Sequence, residues 1–73
     1  MKLSKYVQRR YGGAAALAKK LNIPPILISQ WSRGIRPVPI ERCFPIEVAT
    51  NGIVTRKDLR PKDWAAIWPE LVE

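Results

Sequence analysis

Four residues in the segment NIPPILISQWSRG have types and spacing that suit molecular reading rather than bond-making: Ile26, Ser29, Gln30 and Arg33. At 3.6 residues per turn they fall on one side of a helix, with Ile28 and Trp31 on the other. A carboxamide such as Gln30 can hold two groups on the edge of adenine at once. A guanidinium such as Arg33 can hold both acceptors of guanine, a hydroxyl such as Ser29 pairs with either kind of edge, and an aliphatic side chain such as Ile26 can pack on a thymine methyl. The chemistry predicted for this face is recognition of base edges in the major groove of duplex DNA.

Reactive chemistry is poorly represented. The chain has no histidine, and Cys43 is its one cysteine. That rules out an intrachain disulfide and a conventional zinc site. No paired carboxylates recur on one face and no glycine-rich phosphate loop is present, so neither enzymatic activity nor a cofactor is expected. RNA binding would call for an aromatic stacking platform or a Gly-x-x-Gly loop, and neither stands out.

Charge points the same way as the reading face. The chain of 73 residues carries a formal net charge of +7, from 13 basic and 6 acidic residues. Residues 1–40 hold Lys2, Lys5, Arg9, Arg10, Lys19, Lys20, Arg33 and Arg36 and no Asp or Glu, whereas residues 41–73 are nearly neutral. Forty residues without an acid imply a polyanionic partner more readily than a need for solubility. Lys19 and Lys20 can track a phosphate backbone or simply solvate a helix, and Arg9 and Arg10, further away, read as solvated. No run of about 18 apolar residues exists to span a membrane, and the prolines break any long amphipathic surface helix. A free thiol without an apolar leader suits a reducing cytoplasm, with the bacterial nucleoid as the expected location.

The elements that must position the reading face are short helices. Leu3, Tyr6, Val7 and Arg10 recur at helical spacing, with Ser4 as candidate N-cap and Gly12–Gly13 as the break. A second helix is predicted from about Ala14 to Leu21, with Leu17, Ala18 and Leu21 as its apolar stripe. Asn22 tolerates the left-handed conformation that ends a helix. Pro24 should lie outside the next helix and Pro25 at its first position. That third helix runs to Ser32 or Arg33 and stops at Gly34. A fourth starts near Pro39, with a break expected at Pro45. Thr55 and Asp58 have capping-box spacing. Asp63 is a candidate cap for a last segment stopped by Pro69. Ile53, Val54 and Thr55 are the one strand-like run. The fold predicted is all-α: one compact domain over residues 1–73, of four to five helices, with a helix-turn-helix at about 14–33 and a tail at about 61–73. Ala18 should allow the close crossing of the second and third helices, Ile23 should fill the corner beneath the turn, and Ile28 and Trp31 should pack on Leu17 and Leu21. Trp31 and Cys43 read as core. An ordinary αα-hairpin in a structural bundle would share these features but not the charge asymmetry.

The stretch GGAAALAKKLNIPPILISQWSRGIRPVPIERC, continuing to IEVATNGIVTRKDLRP, resembles the Cro-like and YdaS-antitoxin-like regulators of bacterial prophages, over residues 12–64. The resemblance implies a lambda-repressor-like helix-turn-helix fold and a small repressor bound to operator DNA. Carried over residue by residue, it places Ser29, Gln30 and Arg33 at recognition-helix contacts and Arg36 and Arg42 at basic positions flanking that helix. The chain departs from the pattern at Ala14 and Ala15, where a polar residue usually opens the second helix. It departs again at Pro24 and Pro25, which have no amide hydrogen for a phosphate, and at Ile26 and Leu27, which replace a polar pair. Such an apolar reading face either reads methyl groups or serves a protein partner. Because some relatives of this kind are antitoxins, the alternative is an antitoxin that binds a toxin protein and autoregulates its operon. Trp64, Ile67 and Trp68, at three- and four-residue spacing, either pack back on the domain or form a self-association or partner contact. With no strand dedicated to dimerisation, any homodimer is expected to be weak or DNA-assisted.

Overall fold

The computed structural model describes residues 1–8 and 13–72; Arg9 and Arg10 lie outside that range. The described residues form α1 (Leu3–Gln8), α2 (Gly13–Leu21), α3 (Pro25–Ser32), α4 (Ile40–Ala49), α5 (Arg56–Leu59) and α6 (Trp64–Ile67), followed by a 3₁₀ turn at Pro69–Leu71. The protein is all-helical, with no strand among the described residues. Ile53–Thr55 is a turn leading into α5, because Thr55 is spent as that helix's N-cap.

The three longer helices end in the same way. After α2 the amide of Ile23 donates to Ala18 (3.0 Å) and that of Asn22 to Lys19 (3.2 Å). After α3 Ile35 donates to Gln30 (3.0 Å) and Gly34 to Trp31 (3.3 Å). After α4 Gly52 donates to Glu47 (2.8 Å) and Asn51 to Val48 (3.0 Å). This paired 6→1 and 5→2 closure needs one residue in the left-handed region. Asn22, Gly34 and Asn51 take it, at φ 58°, 74° and 54°. Each closure uses up carbonyls that would otherwise be orphaned at a helix end.

α2 and α3 pack on each other, α1 lies against both, α4 crosses α2, and α5 folds onto α4. The core between them is built from Leu17 and Ala18 of α2, Ile28 and Trp31 of α3, and Cys43 and Ile46 of α4. Leu3 and Tyr6 of α1 are buried against it.

Three local expectations fail. Ser4 lies inside α1 rather than capping it, because the helix already begins at Leu3. Pro45 does not break α4, which runs unbroken through it. The one hydrogen bond it forgoes would have run to the carbonyl of Glu41, and Cys43 and Ile46, both fully buried, hold the helix to the core on either side. Asp63 precedes α6 but makes no side-chain cap, because Arg60 takes its carboxylate.

Candidate nucleic-acid interface

Pro24 caps α3 from an extended conformation (ψ 138°) and Pro25 opens it. Neither has an amide hydrogen, and the Leu27 amide donates to the carbonyl of Pro24 (3.1 Å). The opening of α3 therefore offers an anion fewer amide hydrogens than an ordinary helix end.

The side chains expected to read bases lie on the open side of α3. Ile28 and Trp31 are buried, which turns the opposite side of α3 outward. Ile26, Ser29, Gln30 and Arg33 share that outward side within an arc of about 100°. Ile26 is 60% exposed and Arg33 is exposed, while Ser29 and Gln30 are half-buried at the flanks of the arc. Among the described residues, the Gln30 carboxamide and the Arg33 guanidinium make no hydrogen bond or ion pair, so both are available to a ligand. Leu27 is a correction to the apolar reading face, since it packs on the core. Ile26 alone is left as its aliphatic contact.

The flanking cations are also unpaired. Lys19 and Lys20 end α2 and Arg36 follows α3, all three exposed; Arg42, on α4, is half-buried. None of them is in an ion pair among the described residues. Glu47 holds Arg56 (3.3 Å), Asp63 holds Arg60 (2.7 Å), and Asp58 holds the ammonium of Met1 (2.8 Å). These three acids are paired with Arg56, Arg60 and the Met1 ammonium, and none of them with Lys19, Lys20, Arg36 or Arg42.

Two polar anchors of the fold escaped the sequence reading. Arg60 donates to both carboxylate oxygens of Asp63 and, through Nη1, to the carbonyl of Val38 (2.8 Å). This ties the α5–α6 corner to the loop that carries Arg36. The contact with Arg60 holds the Asp63 carboxyl below its ordinary range. An Arg and an Asp three residues apart were a visible signal, but the Val38 carbonyl, 22 positions away, was not. The second is Thr50, which is fully buried. Its hydroxyl donates to Ile46 (2.9 Å) and accepts the amide of Val54 (3.1 Å), locking the turn after α4.

In the tail, Trp68 packs against the core, and Trp64 and Ile67 are half-buried. The Arg56 guanidinium lies over the rings of Phe44 (5.0 Å) and Trp68 (5.6 Å), and Lys57 lies over Trp64 (4.5 Å). No helix among the described residues is long and apolar enough to cross a membrane.

A family model described as bacterial toxin YdaS matches residues 3–67. The chain is also 46% identical over 55 residues to a protein of Escherichia coli (strain K12) that bears the name "Putative transcriptional regulator YdaS". That match takes in 74% of this chain and 56% of the relative, so the chain spans little more than half of that protein's length.

Proposed function

The chain belongs to the family described as bacterial toxin YdaS, and from that footing we propose that it binds duplex DNA sequence-specifically and acts as a transcriptional repressor of Cro type, encoded on a prophage and working in the bacterial cytoplasm at the nucleoid. The observation that carries this reading is the outward arc of α3. Gln30 and Arg33 have no partner within the described residues, and Lys19, Lys20, Arg36 and Arg42 are likewise unpaired there. The name of the E. coli relative supports a regulatory role. In this reading Ile26, Ser29, Gln30 and Arg33 contact base edges and the four flanking cations contact phosphate. Repression follows from occupying promoter DNA, and no reaction is catalysed. The whole chain acts as one helix-turn-helix domain, whose copies pair weakly or only on the operator.

A gel-shift experiment with DNA from upstream of the chain's own gene tests the proposal. The expected result is a retarded species that excess random DNA does not displace. Equal displacement by random and upstream DNA would sink the sequence-specific reading.

Two observations favour a second reading, in which a protein partner is bound and the operon autoregulated. The family carries a toxin's description, and Ile26 leaves 60% of its surface open at the centre of the arc. Co-expression with the products of adjacent genes, followed by purification of the chain, distinguishes the two. A stoichiometric complex that releases DNA supports the partner reading, and its absence removes it.

A further inference from the structure

We propose that two copies of this chain meet through the outer face of α4. Cys43 and Ile46 turn the helix's inner side to the core. On the outer side Ile40, Phe44 and Val48, four residues apart, leave 47%, 53% and 58% of their surface open. Large apolar side chains in a continuous stripe on a charged protein mark a contact surface. Copies of a chain carrying +7 repel one another, so self-association is easiest where cations are fewest. The exposed residues of α4 include no cation; the one charge among them is Glu41.

The edges of the stripe are complementary. At about 100° per residue, Glu41 borders it on one side and Glu47, which holds Arg56, on the other. Among the described residues the Glu41 carboxylate has no partner. Arg56, with 17% of its side chain open, uses only its Nε on Glu47 (3.3 Å) and lies over Phe44 and Trp68, so its terminal amino groups have no acceptor among the described residues. A two-fold axis running along the stripe sets each edge against the opposite edge of the second copy. Phe44 then meets Phe44, and each Glu41 faces the other copy's Arg56. A same-patch contact of this kind closes as a dimer. Three apolar residues and one reciprocal ion pair make a small interface, so the association is weak.

Sedimentation velocity of the full chain without DNA, over a concentration series reaching about 1 mM, tests the inference separately from DNA binding. The expected result is a concentration-dependent shift from monomer to dimer. Phe44→Asp and Val48→Asp should each weaken it at least about tenfold while the melting curve stays that of the parent, since both side chains are half exposed. Glu41→Gln should weaken it less, with the loss greatest at low salt where the ion pair is least screened; it also serves if either apolar variant melts early. Monomer throughout the series overturns the inference, as does a dimer that survives both Asp variants. A dimer lost instead on Trp64→Ser places the contact on the tail and overturns it equally.

Discussion

The amide of Ile23 donates to the carbonyl of Ala18 at 3.0 Å, and both side chains face the core. This bond closes the end of α2 and sets the direction in which α3 leaves. Ala18 is 1% exposed at that crossing, so its β-carbon has no room to grow. Ala18→Leu should overpack the crossing and cost roughly 1–3 kcal/mol. Ala18→Glu should cost more, because its carboxylate would be buried without a partner. Thermal melts measure both. Parent-like melts would mean that the helices do not depend on close approach at Ala18.

Acid should weaken the protein through Asp58 and Asp63. Burial alone would raise the Asp58 carboxyl, but hydrogen bonds from the Met1 ammonium and from Thr55 outweigh it and hold the group below its ordinary value. Asp63 is lowered by Arg60. A carboxyl whose folded value lies below its unfolded value stabilises the fold above the unfolded value, about pH 4. That contribution fades as pH falls through the folded value. Urea midpoints measured from pH 6 downward should therefore decline, and Asp58→Asn should make the decline shallower. An unchanged slope in that variant would contradict the assignment.

Cys43 should be inert until the protein opens. It is fully buried, its thiol donates to the carbonyl of Pro39 (3.4 Å), and burial pushes its pKa up from 9.0 to about 11. Since the thiolate is the reactive form, alkylation at neutral pH should be slow and should accelerate with urea in step with unfolding. The raised value also means that the neutral thiol's contribution is complete below pH 9 and is lost as pH climbs toward 11. Rapid labelling of the native protein would contradict the buried placement.

Base reading and backbone positioning should separate by mutation. Gln30→Ala and Arg33→Ala should each cost roughly 1–3 kcal/mol on the specific site and less on random DNA. Arg36→Ala and Arg42→Ala should weaken both DNAs about equally and flatten the salt dependence. With about six phosphate contacts, the parent's log–log salt slope should be roughly −5. Paired binding curves on the two DNAs are the measurement. If Gln30→Ala lowers both affinities in parallel, the outward arc of α3 is not reading sequence.

The elements around the candidate site were legible because their signals act within a few residues. Asn22 and Gly34 mark helix ends because few residues accept positive φ, and both adopt it. Pro25 opens α3 because a first helical position needs no amide hydrogen. Thr55 and Asp58 close their capping box across three residues. Helical periodicity separated Ile28 and Trp31 from Ile26 and Arg33 before any partner helix was known. What the sequence left open depended on which surfaces meet. Pro45 reads locally as a break, yet packing of Cys43 and Ile46 keeps α4 whole. Leu27 reads as part of an exposed pair, yet the core takes it and leaves Ile26 outside. Arg60 could be matched to Asp63 by spacing, but its bond to Val38 exists only because the chain returns over the loop after α3. Ile40, Phe44 and Val48 have the spacing of a core stripe, and only the packing of α4 shows that the opposite side is the buried one. Local stereochemistry determines where helices begin and end; which face each one buries is decided by the other helices, through contacts between residues far apart in the chain.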